Sequence, residues 1–524
     1  MTANVVETPE VGFWRRGLRA ATATGRKRPG YLACVLLILP LVVVWSLATP
    51  IEGVVDDSAS LDTAAAVVRG EFGGPEIQTP AGKSVPVRVP GEIAALNNVS
   101  DCLLNVDVLP NQCPPAPKVS NADTTTLTQF NRYPPLSYLV EGWPTLFLHG
   151  SAAYWVATLV AAVIHSLLLA LALWLLVTFV PRRLSVLGWL TVLTPQVLYL
   201  TGSLNASGFE IAAATAMWAG LLALASVDDP PDRLIGWTAA SALILMLARP
   251  TSPAWVALAV VIAAVVAGRE RVRALAQRRT ARIGAGLLVA GALVALVWLL
   301  AAGAPQLLPV GKPPAPVSLV TAFRTVLGAF KGALVGQLGD FEGYYIPSFA
   351  WAMWFTLFAV VCLAGAAVAP RRTMWCAIAL AVLIVAVPLV VSTFEYNSYG
   401  FPWQGKDGTP YAVGLPLLAA TLIPQRVLLA RAGRRLCIFV LACFAVCAIA
   451  TFVCVLHRYG NGVDGSWSPA HFGWQPLGGA YLLTAVFIVA VLRLTMSVWW
   501  WSRAAVAEMS APELAVEESV RSLA

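Results

Sequence analysis

Charge is what this chain has least of. Asp, Glu, Lys and Arg together make up 12% of its 524 residues, about half the share of a soluble domain. No stretch stays polar for more than about 100 residues, so an ordinary soluble domain is excluded. Phosphate-binding glycine patterns of the Walker or dinucleotide type are also missing, which argues against ATP hydrolysis. Histidine is scarce: His149, His457 and His471 are scattered without ligand spacing, and His165 sits in an apolar run where helix packing is its ordinary role. Cysteine is nearly absent from polar sequence. Of nine, Cys34, Cys362, Cys376, Cys437, Cys443, Cys447 and Cys454 lie in apolar runs as small apolar side chains.

What is present is hydrocarbon. Hydrophobic residues reach 58% and mean hydropathy is +0.74. Apolar runs of roughly 20 residues recur, the pattern of an all-α, multi-pass membrane protein. Twelve spans are predicted, at about 31–49, 152–179, 185–201, 209–226, 234–248, 253–267, 283–302, 349–369, 374–393, 411–424, 436–456 and 477–500. The first is read as a retained helix rather than a cleaved signal, because Pro50 follows it directly. Residues 1–30 form a basic cytoplasmic start, 31–500 the polytopic domain, and 501–524 a short acidic cytoplasmic tail expected to be disordered.

The net charge of +8 points to topology and not to nucleic acid. With both termini cytoplasmic, 24 of the 35 Lys and Arg fall in the segments placed inside, while 17 of the 27 acids fall outside. The outer face then holds the long loops: 50–151, 303–348, 394–410 and 457–476. Any site is expected there, at a cell or inner membrane, facing away from the cytoplasm. Cys102 and Cys113 occur in the first outer loop, and a lone pair in an oxidising compartment suggests a disulfide. In 303–348 a proline-rich start leads into Val317–Val335, whose apolar residues recur every three or four positions with Arg324 and Lys331 between them. That spacing predicts an amphipathic helix lying in the outer interface.

Five stretches carry candidate chemistry. Asp56 and Asp57 stand where the first span gives way to aqueous loop, and acids at that depth raise a functional question by default. One is a candidate general base and the other a ligand-orienting group; capping the next short helix is an equal alternative. Asp62 and Arg69 follow at helical spacing and are expected to line its exposed face. Asn131-Arg132-Tyr133-Pro134-Pro135-Leu136-Ser137-Tyr138 returns the chain to the membrane, placing Arg132 and Tyr133 beside the loop. Thr201 to Glu210 forms a polar hairpin in which Asn205 and Glu210 are candidate contacts, although Glu210 also suits a helix start. Arg249-Pro250-Thr251 breaks two apolar stretches, directing Arg249 to the interface as an anion ligand or a snorkelling side chain. Phe401-Pro402-Trp403-Gln404-Gly405-Lys406 gathers an amide and a cation at another boundary.

This order of motifs resembles the GT-C superfamily of integral-membrane glycosyltransferases. More closely, it is similar to an uncharacterised family of bacterial polytopic membrane proteins grouped with GT-C. The matching residues are Asp56-Asp57, Pro134-Pro135-Leu136-Ser137-Tyr138, Ser203-Leu204-Asn205, Arg249-Pro250 and Gln404-Gly405-Lys406. No His follows the acidic pair, Ala206 and Ser207 follow Asn205, and Lys406 stands where that family has Arg. The resemblance implies an inverting transferase that takes a sugar from a polyprenyl-phosphate donor to an envelope glycan or lipid acceptor. Asp56 or Asp57 would then be the base, Arg249, Arg132 and Lys406 would hold the donor phosphate, and Tyr133, Asn205, Glu210 and Gln404 would contact substrate. A divalent cation is the one cofactor this chemistry leaves open, and no metal ligand set is assigned. A non-catalytic envelope-assembly or sugar-binding protein and a lipid-linked glycan flippase are the rival classes. The flippase is disfavoured by the scarcity of charge within the spans.

Overall fold

The computed structural model describes residues 29–507, apart from 55, 73, 75–76, 80–81, 104–108, 129, 131, 181–183, 303–315, 339–347, 400–402, 425–426, 429 and 463. The basic start, most of the acidic tail, the proline-rich 303–315 stretch, Asn131, Phe401 and Pro402 therefore lie outside the described residues.

The chain is helical almost throughout. Helix α1 (Tyr31–Ala48) leads into α2 (Asp57–Val67), strands β1 (Ile77–Thr79) and β2 (Gly82–Pro90), and short helices α3 (Gly91–Ala94) and α4 (Asn97–Leu103). Strand β3 (Asp123–Thr128) and α5 (Leu136–Gly142) complete a cap between α1 and α6 (Gly150–Phe179). Then come α7 (Ser185–Val192), α8 (Pro195–Thr201), α9 (Ala206–Ser226), α10 (Asp232–Met246), α11 (Ser252–Ala267), α12 (Arg269–Gln277) and α13 (Arg279–Ala302). The second half holds α14 (Leu319–Leu338), α15 (Ser348–Ala366), α16 (Arg371–Tyr399), α17 (Gly405–Ala412), α18 (Gly414–Leu422), α19 (Arg431–Asn461) and α20 (Ala480–Ala507).

Among the described residues, eight helices are long and apolar enough to cross a bilayer: α1, α6, α9, α13, α15, α16, α19 and α20. The number reaches nine if α11 and α12, bent by 113°, count as one broken span. This differs from the twelve runs read in the sequence. The run at 185–201 is two short helices parted at Thr194-Pro195, where the Thr194 side chain caps α8 by accepting from Val197 N. The run at 411–424 is split between α17 and α18, and α10 and α11 are 15 and 16 residues long. Apolar composition marks burial equally in lipid and in protein, so it counts short buried helices as spans.

Packing follows side-chain size. Helix α1 lies between α6 and α20, and α9 between α6 and α10. Helix α13 touches α10 through a stripe of Gly284, Gly291 and Ala295, its only buried residues. Small residues let the two backbones approach. The rest of α13 turns Leu287, Val294, Val297 and Leu300 outward, the apolar exterior expected of a lipid-facing helix. Helix α14 confirms a helix in the stretch read as amphipathic. It buries Ala322 and Val326 and exposes Leu319, Phe323 and Leu327, which share one face.

The cap has its own core, and it contains a sheet that the all-α expectation lacked. The strands run antiparallel in the order β1-β2-β3, with Val87 opposite Thr126. Val85, Val87 and Val89 are buried, while Arg88 between them is exposed. That two-residue period was legible in the sequence. Val87 and Val89 lie in the same small core as Leu61, Ala64 and Ala65 of α2. Helix α5 closes on α2 at Gly142, where a Cβ would lie 2.8 Å from the Ala64 Cβ. Cys102 and Cys113 form a disulfide that ties α4 to the next turn.

Two changes test the cap. Replacing Cys102 and Cys113 together with serine should lower cap stability by about 3 kcal/mol, the worth of closing a loop of this size. The shift is read as a lower apparent melting temperature, and the oxidised pair is read by mass spectrometry of non-reduced peptides.

Candidate functional site

The turn from Pro50 to Asp57 joins α1 to the cap, and two of its residues adopt backbone that L-amino acids rarely use. Glu52 has φ 54° and Asp56 φ 72°. Aspartate tolerates the left-handed region better than most residues. The turn is held at its middle: the Tyr459 hydroxyl donates to the Gly53 carbonyl at 2.8 Å, and Tyr199 reaches the same oxygen at 3.3 Å.

Asp56 precedes the first residue of α2, the usual place for a cap, but makes no side-chain cap hydrogen bond. Its carboxylate is instead paired with Lys406 of α17, 350 residues away, and Lys406 is itself almost fully buried. Asp57 points elsewhere, as the angle between neighbouring helical positions requires. It is fully buried, and its Oδ2 accepts from the Tyr154 hydroxyl of α6 at 2.9 Å. Its Oδ1 has no hydrogen-bond partner among the described residues. Burial pushes this carboxyl well above the usual carboxylate range, and the Tyr154 bond and the nearby Lys406 charge pull it part of the way back.

Lys406 and Asp407 open α17 together. Asp407 Oδ2 accepts from the Gln404 backbone N–H at 3.1 Å in a capping box, while its Oδ1 meets Arg249 at 3.0 Å. Gln404 is thus placed as the cap of α17. Arg249 follows the end of α10 and does not snorkel outward. Its guanidinium bridges Asp407 and Glu210 of α9, at 3.2 Å, and its Nη2 donates to the Tyr133 hydroxyl at 3.3 Å. It also lies 5.3 Å from the centre of the Tyr133 ring. Glu210 is fully buried, and its other oxygen accepts from Ser252 Oγ at 2.7 Å. Asn205 caps α9 by accepting from Ser207 N at 2.8 Å. The geometry thus brings Asp56, Lys406, Asp407, Arg249, Glu210 and Tyr133 into one chain of contacts, with Asp57 behind it.

Arg132 belongs elsewhere. It lines a cavity of about 290 Å³ with Phe72, Val85, Trp298 and Ala301, between the cap and the end of α13. Residues 132 and 133 therefore serve two different places, which adjacency in sequence does not reveal.

Asp62 also departs from expectation. It is buried rather than exposed, beneath the sheet, where its Oδ2 accepts from Asn97 Nδ2 at 2.9 Å and Thr126 Oγ1 at 3.0 Å. Burial pushes its carboxyl up to about 6, and those two bonds keep it from rising further. Arg69 is drawn to Thr145 Oγ1 at 3.1 Å.

Several contributors went unnoticed in the sequence. Tyr154, Ser252 and Asp407 carry no motif. Tyr138 lay within a quoted segment; it is buried, and its hydroxyl has no hydrogen-bond partner among the described residues. Glu141 meets His165 at 3.1 Å, both fully buried. His165 Nδ1 lies 2.9 Å from the Thr201 carbonyl and so must donate, leaving Nε2 and Glu141 to share one proton. This pair ties α5 to α6, in keeping with a packing role for His165.

Among the described residues no group of three or more His, Cys, Asp or Glu is arranged to hold a metal ion.

A family model matches residues 39–405, most of the chain. The chain belongs to the family described as predicted membrane protein (DUF2142). The match runs from within α1 to the first residue of α17, so it takes in the acidic turn, Tyr133, Glu210 and Arg249. Lys406 and Asp407, which pair with Asp56 and Arg249, fall just past its end, and Tyr459 lies well beyond it. No curated protein and no solved structure matches the chain.

The cluster and the enclosed Asp62 each give a quantitative expectation. Arg249→Ala leaves the Glu210 carboxylate buried without its cation, which should destabilise the fold by about 3–5 kcal/mol. Glu210→Gln in the same chain should restore part of that loss, read as coupling between the two melting shifts. Asp62 sets a pH dependence. Its folded pKa lies above its unfolded value of 3.8, so its contribution is full below about pH 4 and is lost as pH rises through about 6. The drop is on the order of 3 kcal/mol. Asp62→Asn should flatten melting temperature against pH across that window.

Proposed function

We propose that this protein is an inverting glycosyltransferase of GT-C type, taking a sugar from a polyprenyl-phosphate donor to an envelope glycan or lipid acceptor outside the cytoplasm. The observation that carries the reading is the contact of Asp56 with Lys406 beside the Arg249 cluster. Carboxylates and cations from four distant stretches meet where apolar helices end and the cap begins. A lipid phosphate has the same division, with its chain in hydrocarbon and its charge at the boundary. The outward orientation of the cap is supported by the Lys and Arg distribution and by the Cys102–Cys113 disulfide, which suits an oxidising compartment.

In this mechanism the acceptor hydroxyl attacks the sugar C1 from the face opposite the phosphate. The C1–O bond to phosphate breaks as the new bond forms, and the hydroxyl proton passes to a carboxylate. Asp57 suits that step through its raised pKa and unpartnered Oδ1. Asp56 then holds Lys406, and Arg249 and Lys406 offset charge on the departing phosphate. Tyr133 and Gln404 fix the positions of Arg249 and Asp407.

A non-catalytic assembly role is favoured by one observation: Lys406 and Arg249 already have carboxylate partners. The two readings part in one assay. Purified protein in detergent with a radiolabelled polyprenyl-phosphate sugar should transfer label to lipid or glycan acceptors. Asp57→Asn should lose at least about 100-fold in rate, the usual worth of a general base, and Asp56→Asn, which frees Lys406, should lose rate as well. Full turnover in Asp57→Asn removes the base assignment. Absence of transfer from every donor tried, in a protein that still melts cooperatively, leaves the assembly role.

A further inference from the structure

The loop after α19 carries a built aromatic surface that the transferase reading does not use. Trp467 leaves 59% of its surface exposed, in a stretch whose neighbours are Gly465, Ser466 and Ser468. Its ring is nonetheless fixed. One face lies flat on the imidazole of His457, with centroids 3.9 Å apart and planes within 5°. His457 is buried at the end of α19, its Nε2 donates to the Gly465 carbonyl at 3.1 Å, and Phe472 meets it edge-on. Asn461 Nδ2 donates to the Ser466 carbonyl at 3.1 Å and holds the turn that presents the indole. The exposed area thus belongs to the opposite face.

A rigid indole with one open face, carried in a turn with Gly465, the exposed Ser466 and Ser468, has a specific complement. A pyranose ring offers an apolar C–H face bordered by hydroxyls, which matches an aromatic face set among hydrogen-bonding groups. A lipid chain would call for apolar neighbours instead. The location fits as well. Tyr459, on the same helix end as His457, donates to the Gly53 carbonyl in the turn that carries Asp56. The disulfide-closed turn abuts the loop from the side, where a Cβ on Gly473 would lie 2.7 Å from Asn111 Nδ2.

We propose that Trp467 is a stacking platform for a neutral hexopyranose unit of a glycan, and that this glycan is the acceptor chain. The purpose rests on the transferase reading, but the binding does not. The test uses the full chain in lipid nanodiscs, with saturation-transfer NMR titrations of maltohexaose, cellohexaose and α-1,6-mannohexaose. At least one should bind. Trp467→Ala should weaken it about tenfold or more, a loss of about 1.4 kcal/mol. Trp467→Phe, which keeps a flat ring, should retain most of the affinity, and unchanged melting of both variants shows that the fold is intact. Binding of none of the three overturns the proposal, as does equal affinity in Trp467→Ala. So does stronger quenching by brominated lipid in the wild type than in Trp467→Ala, which assigns the ring to the bilayer. Absent binding with sugar transfer intact overturns the platform alone; binding intact with no transfer leaves the platform and overturns the transferase reading together with the acceptor role.

Discussion

Two tyrosine hydroxyls on one backbone carbonyl hold the centre of this structure. Tyr199 of α8 and Tyr459 of α19 converge on Gly53, and they lie 3.0 Å from each other. Among the described residues between Pro50 and Asp57, Glu52 and Asp56 enter left-handed backbone without being glycine. Such conformations cost on the order of 1–3 kcal/mol each and persist only where surroundings over-determine them. Here helices from both halves of the chain supply the constraint. The result is that Asp56 and Asp57, adjacent in sequence, face different partners.

From that turn the polar contacts spread without a gap in logic. Asp56 takes Lys406, and Lys406 brings Asp407 with it because both lie in the first turn of α17. Asp407 divides its two oxygens between capping that helix and holding Arg249. Arg249 then engages Glu210 and Tyr133. Within this chain of contacts each buried charge meets an opposite one, the condition under which charges are tolerated away from water. The arrangement gathers these five charged side chains where the cap meets the helical bundle.

The cap is a small second core attached to the bundle. The valines of β2 cover α2, the Gly142 contact brings α5 close, and the Glu141–His165 pair fastens α5 to α6. Because α2 is nearly all small residues, neighbouring elements approach it closely, and Asp62 is enclosed with its hydrogen-bond donors. The acids of this region therefore sit in two different environments. Asp56 is partly open and paired with a cation, while Asp57 and Asp62 are enclosed and pushed toward the neutral form.

The amino-acid sequence by itself determined the solvent in which this chain folds. Long apolar runs and sparse charge mark a polytopic helical protein, because transfer to hydrocarbon is additive over composition. It also carried the Cys102–Cys113 pair, the helix at Leu319–Leu338, and most residues of the polar cluster, since acids and arginines beside apolar runs stand out. Tertiary structure alone decided the rest. Apolar content does not separate lipid from protein as surroundings, so α7, α8, α17 and α18 read as spans until their breaks were seen. Whether a polar side chain is buried depends on what packs over it, and so Asp62, placed on an exposed face by helical spacing, lies beneath a sheet. The partners of Asp56, Asp57 and Arg249 come from residues 39 to 350 positions away, a distance over which no local pattern carries information.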